Sequence, residues 1–383
     1  MSSSPTAPAG KAPADDFEIF LVCAPGLEAA LCAEARANRF KQAKTMPGGV
    51  TIKGGWPDVW RANLMLRGAG RVVARIGAFR AFHLAQLDKR ARRFPWGEVL
   101  RPDVAVRVEV SCKVSRIYHS GAAAERIGKA IRDQLGCILA EEAEVQIKAR
   151  IEDDLCTIGV DTSGELLHKR GHKEAVNKAP MRETMAALFL RQCGYDGTLP
   201  LVDPMCGSGT FVIEAAEIAA GLVPGRSRHF AFEKLATFDP AAWEKLKQSA
   251  QQHVAMPPLR FFGSDRDAGA IVMSRANAER AGVADITRFE QATISELKAP
   301  DGPPGLVIVN PPYGDRIGDK STLHALYRAL GQTLKTRFAG WRVGIITSDA
   351  MLARATGLDF APPAAPVLHG GLRVTLFQAG PLP

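Results

Sequence analysis

The sequence predicts an α/β protein: an open, largely parallel sheet in the carboxyl-terminal half, preceded by an α+β region. Two observations predict the sheet. Residues 199–202 and 306–309 are short, continuous apolar runs bounded by Gly or Pro, the pattern of strands buried on both faces. Each run leads to a polar residue, Asp203 or Asn310, and the first then passes through a glycine turn into helix formers from Thr210. A third observation predicts the α+β region. There, half-buried strand patterns such as Val104, Val106, Val108 and Val110 alternate with segments of helical period.

In chain order, residues 1–16 are rich in Ser, Pro and Ala and lack the apolar core of a signal peptide, which predicts a disordered tail. Residues 17–23 read as a strand, 26–39 as a helix with Leu27, Leu31 and Ala35 on one face, 49–53 as a strand and 56–66 as a short helix. Together 17–60 make a small ferredoxin-like unit. Residues 61–163 form a second unit: a strand at 71–76, a basic helix at 83–93, the valine strand, and a helix at 121–136 with Ile127, Ile131 and Leu135 at core spacing. A hairpin around Glu152-Asp153-Asp154 ends it. Residues 164–178 are a basic linker, and 179–383 the last domain. Its first helix has Pro180 in a first turn. An insertion at 222–258 carries Arg226, Arg228, His229, Phe230, Phe232 and Trp243, suited either to a polyanion or to covering the sheet.

Composition narrows the function. With 46% hydrophobic and 23% charged residues, the 383-residue chain can pack two or three domains. A net charge of +9 favours an anionic partner, most simply nucleic acid. Arg61, Arg67, Arg71, Arg75, Arg80, Lys89, Arg90, Arg92 and Arg93 crowd one stretch in which Asp88 is the only acid. Seven cysteines without a Cys-x-x-Cys pair point to reduced thiols and a cytoplasmic protein, against a zinc ribbon or disulfide framework. No apolar run reaches the length of a membrane span, and no metal is expected.

The chemistry concentrates at two strand ends. In Asp203-Pro204-Met205-Cys206-Gly207-Ser208-Gly209-Thr210 the glycines permit backbone angles closed to other residues and let a ligand approach the main chain. Asp203 can pair with a cationic or hydroxyl-bearing group, whereas the loop has no lysine for a phosphate. In Asn310-Pro311-Pro312-Tyr313 the prolines donate nothing, so their carbonyls and the Asn310 side chain act as acceptors in a stiff loop. Acceptors aimed at an exocyclic amino group hold it and draw its lone pair out of conjugation, and Tyr313 offers a face for a stacked base. Alone, each loop also reads as an ordinary connection. Together they suggest a cofactor cradle beside a slot for a planar amino group. Residues 260–265 then read as the next strand, with Asp265 placed to accept from paired ribose hydroxyls and Asp267 to cap a helix over 268–281.

These two loops resemble motifs I and IV of class I S-adenosylmethionine-dependent amino-methyltransferases. Leu167-His168-Lys169-Arg170-Gly171-His172 and Ala179-Pro180-Met181-Arg182-Glu183 resemble the THUMP-bearing RNA methyltransferases, nearest the branch acting on guanine N2 in 23S ribosomal RNA. The resemblance covers nearly all of the chain from Phe17. It implies a Rossmann-like class I methyltransferase domain behind an N-terminal ferredoxin-like/THUMP RNA-binding region, with THUMP over 61–163. It implies S-adenosyl-L-methionine held by Asp203, Met205, Cys206, Gly207, Ser208, Gly209, Thr210, Asp265, Arg266, Thr293 and Asn310, and catalysis at Asn310, Pro311, Pro312 and Tyr313. RNA contact is expected from Arg90, Arg92 and Arg93, and from Lys169, Arg170 and His172. Met181 or Arg182 would lie near the cofactor. Thr293 stands where relatives place an adenine-reading aspartate, Asp315 where Glu is common ahead of Arg316, and His369-Gly370-Gly371 where they have Asn-Gly. Tyr118 and His119 either stack on bases or pack.

The expected reaction is methylation of a guanine N2 in 23S ribosomal RNA by a monomer. Transfer-RNA guanine-N2 methylation, adenine-N6 or glutamine-amide methylation, and a catalytically silent RNA-binding assembly factor are the alternatives. A fused second methyltransferase is not expected in a chain ending at Pro383.

Overall fold

The computed structural model describes residues 16–174, 181–258, 260–314 and 320–383. The expected tail up to residue 15, linker residues 175–178, Ala179, Pro180, Asp315 and Arg316 lie outside the described residues. Two seven-stranded sheets organise the rest.

The first sheet has the order β2-β3-β1-β4-β7-β6-β5. Its strands are β1 (Phe17–Val22), β2 (Lys41–Met46), β3 (Gly49–Gly54), β4 (Arg71–Arg80), β5 (Val106–Lys113), β6 (Val145–Glu152) and β7 (Leu155–Asp161). Helices α1 (Glu28–Ala37), α2 (Trp56–Met65), α3 (Leu84–Ala91) and α4 (Ser120–Leu135) accompany them. The units expected on either side of residue 60 share this sheet. β4 pairs with β1 along one edge and with β7 along the other. His119 caps α4 by accepting from Ala122 N at 3.0 Å, and Gly136 ends that helix with φ +72°. Tyr118 remains exposed.

The second sheet has the order β10-β9-β8-β11-β12-β14-β13. Its strands are β8 (Leu201–Asp203), β9 (Phe261–Asp265), β10 (Thr287–Gln291), β11 (Leu306–Val309), β12 (Arg342–Thr347), β13 (Val367–His369) and β14 (Leu372–Ala379). The first five in sheet order are parallel, and β14 runs antiparallel to both neighbours. Helices α5 (Glu183–Gln192), α6 (Thr210–Ala219), α7 (Pro240–Gln251), α8 (Ala268–Ala281), α9 (Lys320–Arg337) and α10 (Ala350–Ala355) complete the half. β11 shows why its sequence is continuously apolar. Leu306 and Ile308 join the core that holds α5 and α6, while Val307 and Val309 join the core formed with α9. The chain steps from β8 outward to β10 and returns on the other side of β8 with β11. That reversal opens a crevice at the carboxyl ends of β8 and β11, where sheets of this kind take their ligands.

The aromatic residues of the insertion serve as cover. Phe232 stacks on Phe230 with ring centres 5.1 Å apart and meets Trp243 at 5.0 Å and Trp60 of α2 at 6.2 Å. These rings join the two halves in one core. No helix among the described residues is long and apolar enough to cross a membrane.

Candidate active site

Asp203 ends β8 and Asn310 follows β11. The two strands are hydrogen-bonded neighbours with Val202 opposite Val307, so both residues emerge at the same sheet end. Between them the glycine loop is fixed by its backbone. Cys206 N donates to Ser264 O at 2.9 Å, and Gly209 N to Cys206 O at 2.8 Å. Two polar side chains of α8, one helical turn apart, hold it from below. Ser274 Oγ donates to Gly207 O at 2.7 Å and Asn277 Nδ2 to Ser208 O at 3.0 Å. Gly207 and Gly209 both have positive φ, +52° and +83°, which explains their residue type. A Cβ at Gly207 would meet nothing within 4 Å, so the main chain there faces open space.

The two carboxylates differ. Asp203 is buried and accepts from Met205 N at 3.1 Å. Burial first, and then the charge of Asp265, push its pKa up to about 8 against that hydrogen bond. Asp265 bridges two turns, accepting from Gly207 N at Oδ2 and from Asp267 N at Oδ1, both at 3.0 Å. It is only partly buried, and each oxygen retains accepting capacity. Asp267 caps α8 through Gly269 N. Thr210, buried at the start of α6, accepts from Lys173 Nζ at 2.9 Å. That lysine also bonds Met181 O and pairs with Glu183 at 3.3 Å, so its charge is spent within the protein. A ligand with an ammonium and vicinal hydroxyls suits these acceptors, and a polyphosphate does not.

The other loop presents acceptors. Asn310 Oδ1 is buried and has no hydrogen-bond partner among the described residues. Pro312 O is already engaged by the Tyr327 hydroxyl of α9 at 3.4 Å. Tyr313 is half-buried, packs against both cores, and its phenol is pushed up to about 12 by burial. Cys206 is buried, with its thiol raised by burial, which leaves it no role as a nucleophile.

With this geometry in view, two family models match. One, the RMKL-like methyltransferase domain, spans residues 170–370, and the other, the RlmL ferredoxin-like domain, spans 18–73. The chain belongs to the RMKL-like methyltransferase family. It is 30% identical over 370 residues to slr0064 of Synechocystis, provisionally named an RNA methyltransferase, with 94% of this chain and 95% of that one aligned. The structure of the SMU.472 protein complexed with S-adenosylhomocysteine has a TM-score of 0.85 at 28% identity, covering 95% of this chain and 98% of the other. A Listeria monocytogenes protein described by prediction as an N6-adenine-specific DNA methylase has a TM-score of 0.86 at 30% identity, covering 96% and 97%. This RMKL-like methyltransferase uses S-adenosylmethionine, whose ammonium and ribose hydroxyls are donors of the kind those acceptors suit.

Other residues named from the sequence fall differently. Arg266 is exposed beyond β9, and its carbonyl accepts from Gln291 Nε2. Thr293 donates both its backbone N–H and its hydroxyl to Glu296, at 2.8 and 2.7 Å. Arg90 and Arg93 are exposed, but Arg92 is shared between Asp88 and Asp133. Arg170 and His172 correct the expectation of RNA contact. Arg170 is buried, bonding Glu214 of α6 at 2.6 Å, and His172 is buried 3.8 Å from Glu217. Neither side chain can reach a nucleic acid. Lys169 stays exposed beside Glu165. Arg67 and Arg226 join the same cluster, so they too are structural. Ser274, Asn277 and Tyr327 were not legible as site residues, and Lys173 read only as one charge of the basic linker. Only the first two left a trace, polar residues three apart on a helix that otherwise packs.

Proposed function

We propose that this methyltransferase modifies the exocyclic N2 amino group of a guanine in RNA, specifically 23S ribosomal RNA. The observation that carries the reading is the buried Asn310 Oδ1 at the carboxyl end of β11, without a partner among the described residues. A buried acceptor without a donor costs about 1–3 kcal/mol, and an amino group entering beside Tyr313 would satisfy it. Asn310 Oδ1 and the Pro311 carbonyl accept from the two N–H bonds of the amino group, turning its lone pair away from the ring. Pro312 O is held by Tyr327, which fixes the loop, and Tyr313 stacks on the base. S-adenosylmethionine supplies an electrophilic methyl on its sulfonium. The protein's contribution is positioning and a dry site. Residues 61–163, as a THUMP domain, and the exposed Arg90 and Arg93 hold the surrounding RNA. The name of slr0064 supports an RNA substrate.

A second reading, adenine N6, is favoured by the description of the Listeria protein and uses the same acceptor slot. Incubation with labelled donor and RNA from a deletion strain, followed by nucleoside mass spectrometry, separates the two. N2-methylguanosine is expected, and N6-methyladenosine would select the rival. Asn310→Ala should lower transfer by on the order of 100-fold while RNA affinity in a filter-binding assay stays near that of the unaltered protein. Equal loss of both would refute the role given to Asn310.

A further inference from the structure

Two clefts meet at the seam between the halves. One, about 410 Å3, starts beside Val22 and Gly70 at the ends of β1 and β4, and reaches the β13–β14 turn. The other, about 630 Å3, runs on along the linker to Lys173 and Met181. His168, Arg182, His369 and Gly370 line both, so the clefts form one groove. It reaches the first loop of the active site through Lys173, and only the hairpin that walls it leads on to the second. Lys173 touches Thr210 at the start of α6, and Leu372 of the hairpin lies against Gly314, 3.4 Å from where a Cβ would stand.

The charges facing this groove come from every wall. β4 gives Arg71, the linker gives Glu165, Lys169, Lys173 and Glu174, α5 begins with Arg182 and Glu183, and the hairpin gives His369. The acids are matched: Glu165 by Lys169, Glu183 by Lys173, and Glu174 by Arg280 at 3.9 Å. Arg71 is paired with Asp161. Arg182 is exposed and makes no ion pair among the described residues. His168 reports the resulting field. Burial first, then Arg182, Lys173, Lys169 and Arg170, push its pKa down to about 4.

We propose that this seam groove carries the sugar–phosphate backbone of the RNA single strand flanking the target nucleotide, with Arg182 as a phosphate contact and Lys169 exchanging its solvent-exposed pair with Glu165 for a second. The inference rests on the nucleic-acid reading above. A base seated beside Tyr313 has left its stack, so the nucleotides next to it are single-stranded and need a path. The groove has more cations than acids in its lining, leaves Arg182 without an ion pair among the described residues, and runs from the N-terminal sheet to the hairpin beside that loop.

Fluorescence anisotropy of a labelled single-stranded RNA oligonucleotide, titrated with the full chain at several KCl concentrations, tests it. Arg182→Glu and Lys169→Glu should each weaken binding about tenfold and flatten the logarithmic salt slope by about 0.7. Bound RNA should also raise the His168 pKa seen by NMR. Unchanged affinity and slope in both variants would overturn the groove and leave the nucleic-acid reading standing. No binding by the unaltered chain would overturn that reading and the groove together. Weaker S-adenosylhomocysteine binding by both variants would make the groove part of the cofactor site and overturn the proposal.

Discussion

We expect Asp203 to lose a proton when the cofactor binds. Its carboxyl has a pKa near 8 in the folded protein against 3.8 for the free group, because burial disfavours the charge. The folded state therefore binds one more proton than the unfolded state between those values, and stability falls as pH rises through them. A cationic ammonium beside the carboxylate reverses the preference. Binding of S-adenosylhomocysteine near pH 7 should release protons, and its affinity should rise from about pH 6 to 8 and then level off. Calorimetry in buffers of different ionisation enthalpy measures the release, and an absence of proton exchange would place the ammonium elsewhere. Asp203→Asn should abolish cofactor binding yet raise the Tm of the free protein above pH 8, since it removes the buried charge without changing the shape.

The loop between β8 and α6 carries the next prediction, because its two glycines serve different ends. A methyl on Gly209 would lie 3.2 Å from Ile213 Cδ1 and from the Phe289 ring, whereas one on Gly207 points into open space. Both positions have positive φ, so each alanine substitution costs about 1–2 kcal/mol in backbone strain. Gly209→Ala should lose further stability through the clash, and Gly207→Ala should lose cofactor affinity instead. Thermal melts with and without S-adenosylhomocysteine distinguish them, and equal cofactor affinities in the two variants would argue against Gly207 facing the ligand. These loops were legible because β8 and β11 are buried on both faces, which leaves an apolar run ending in one conspicuous polar residue. β2 was not legible: it is an edge strand in which only Ala43 is buried, and its charges hide the alternation. β13 and α10 are too short, at three and six residues, to show a period. The groups that hold the loops, Ser274, Asn277 and Tyr327, come from helices that only the fold brings near. The same applies to the linker. Its arginine and histidine look solvated until Glu214 and Glu217 of α6 are placed beside them.

That cluster ties the two halves together beside the shared aromatic core. Arg67 follows α2 of the first half, Arg170 lies in the linker and Arg226 in the insertion, and all three converge on Glu214 and Glu217 of the helix that begins at the cofactor loop. Burial alone would raise the Glu217 pKa, yet Arg226, Arg67 and Arg170 hold it near 2. Its contribution to stability is therefore complete above its ordinary value of 4.5 and lost as pH falls through about 2. Balance of charge predicts unequal mutants. Arg170→Met leaves two arginines facing two carboxylates, and should cost about 1–2 kcal/mol, near the value of the hydrogen bonds removed. Glu217→Gln leaves three arginines facing one carboxylate in a buried site, and should cost about 3–5 kcal/mol and flatten the acid limb of the stability profile. Urea unfolding at neutral pH and near pH 3 measures both effects. Because the weakened contacts lie between the halves, Glu217→Gln should also split unfolding into two transitions, with the cofactor-stabilised one later. A single transition and equal costs in both variants would mean that the shared aromatic core, and not the ion cluster, couples the N-terminal half to α6.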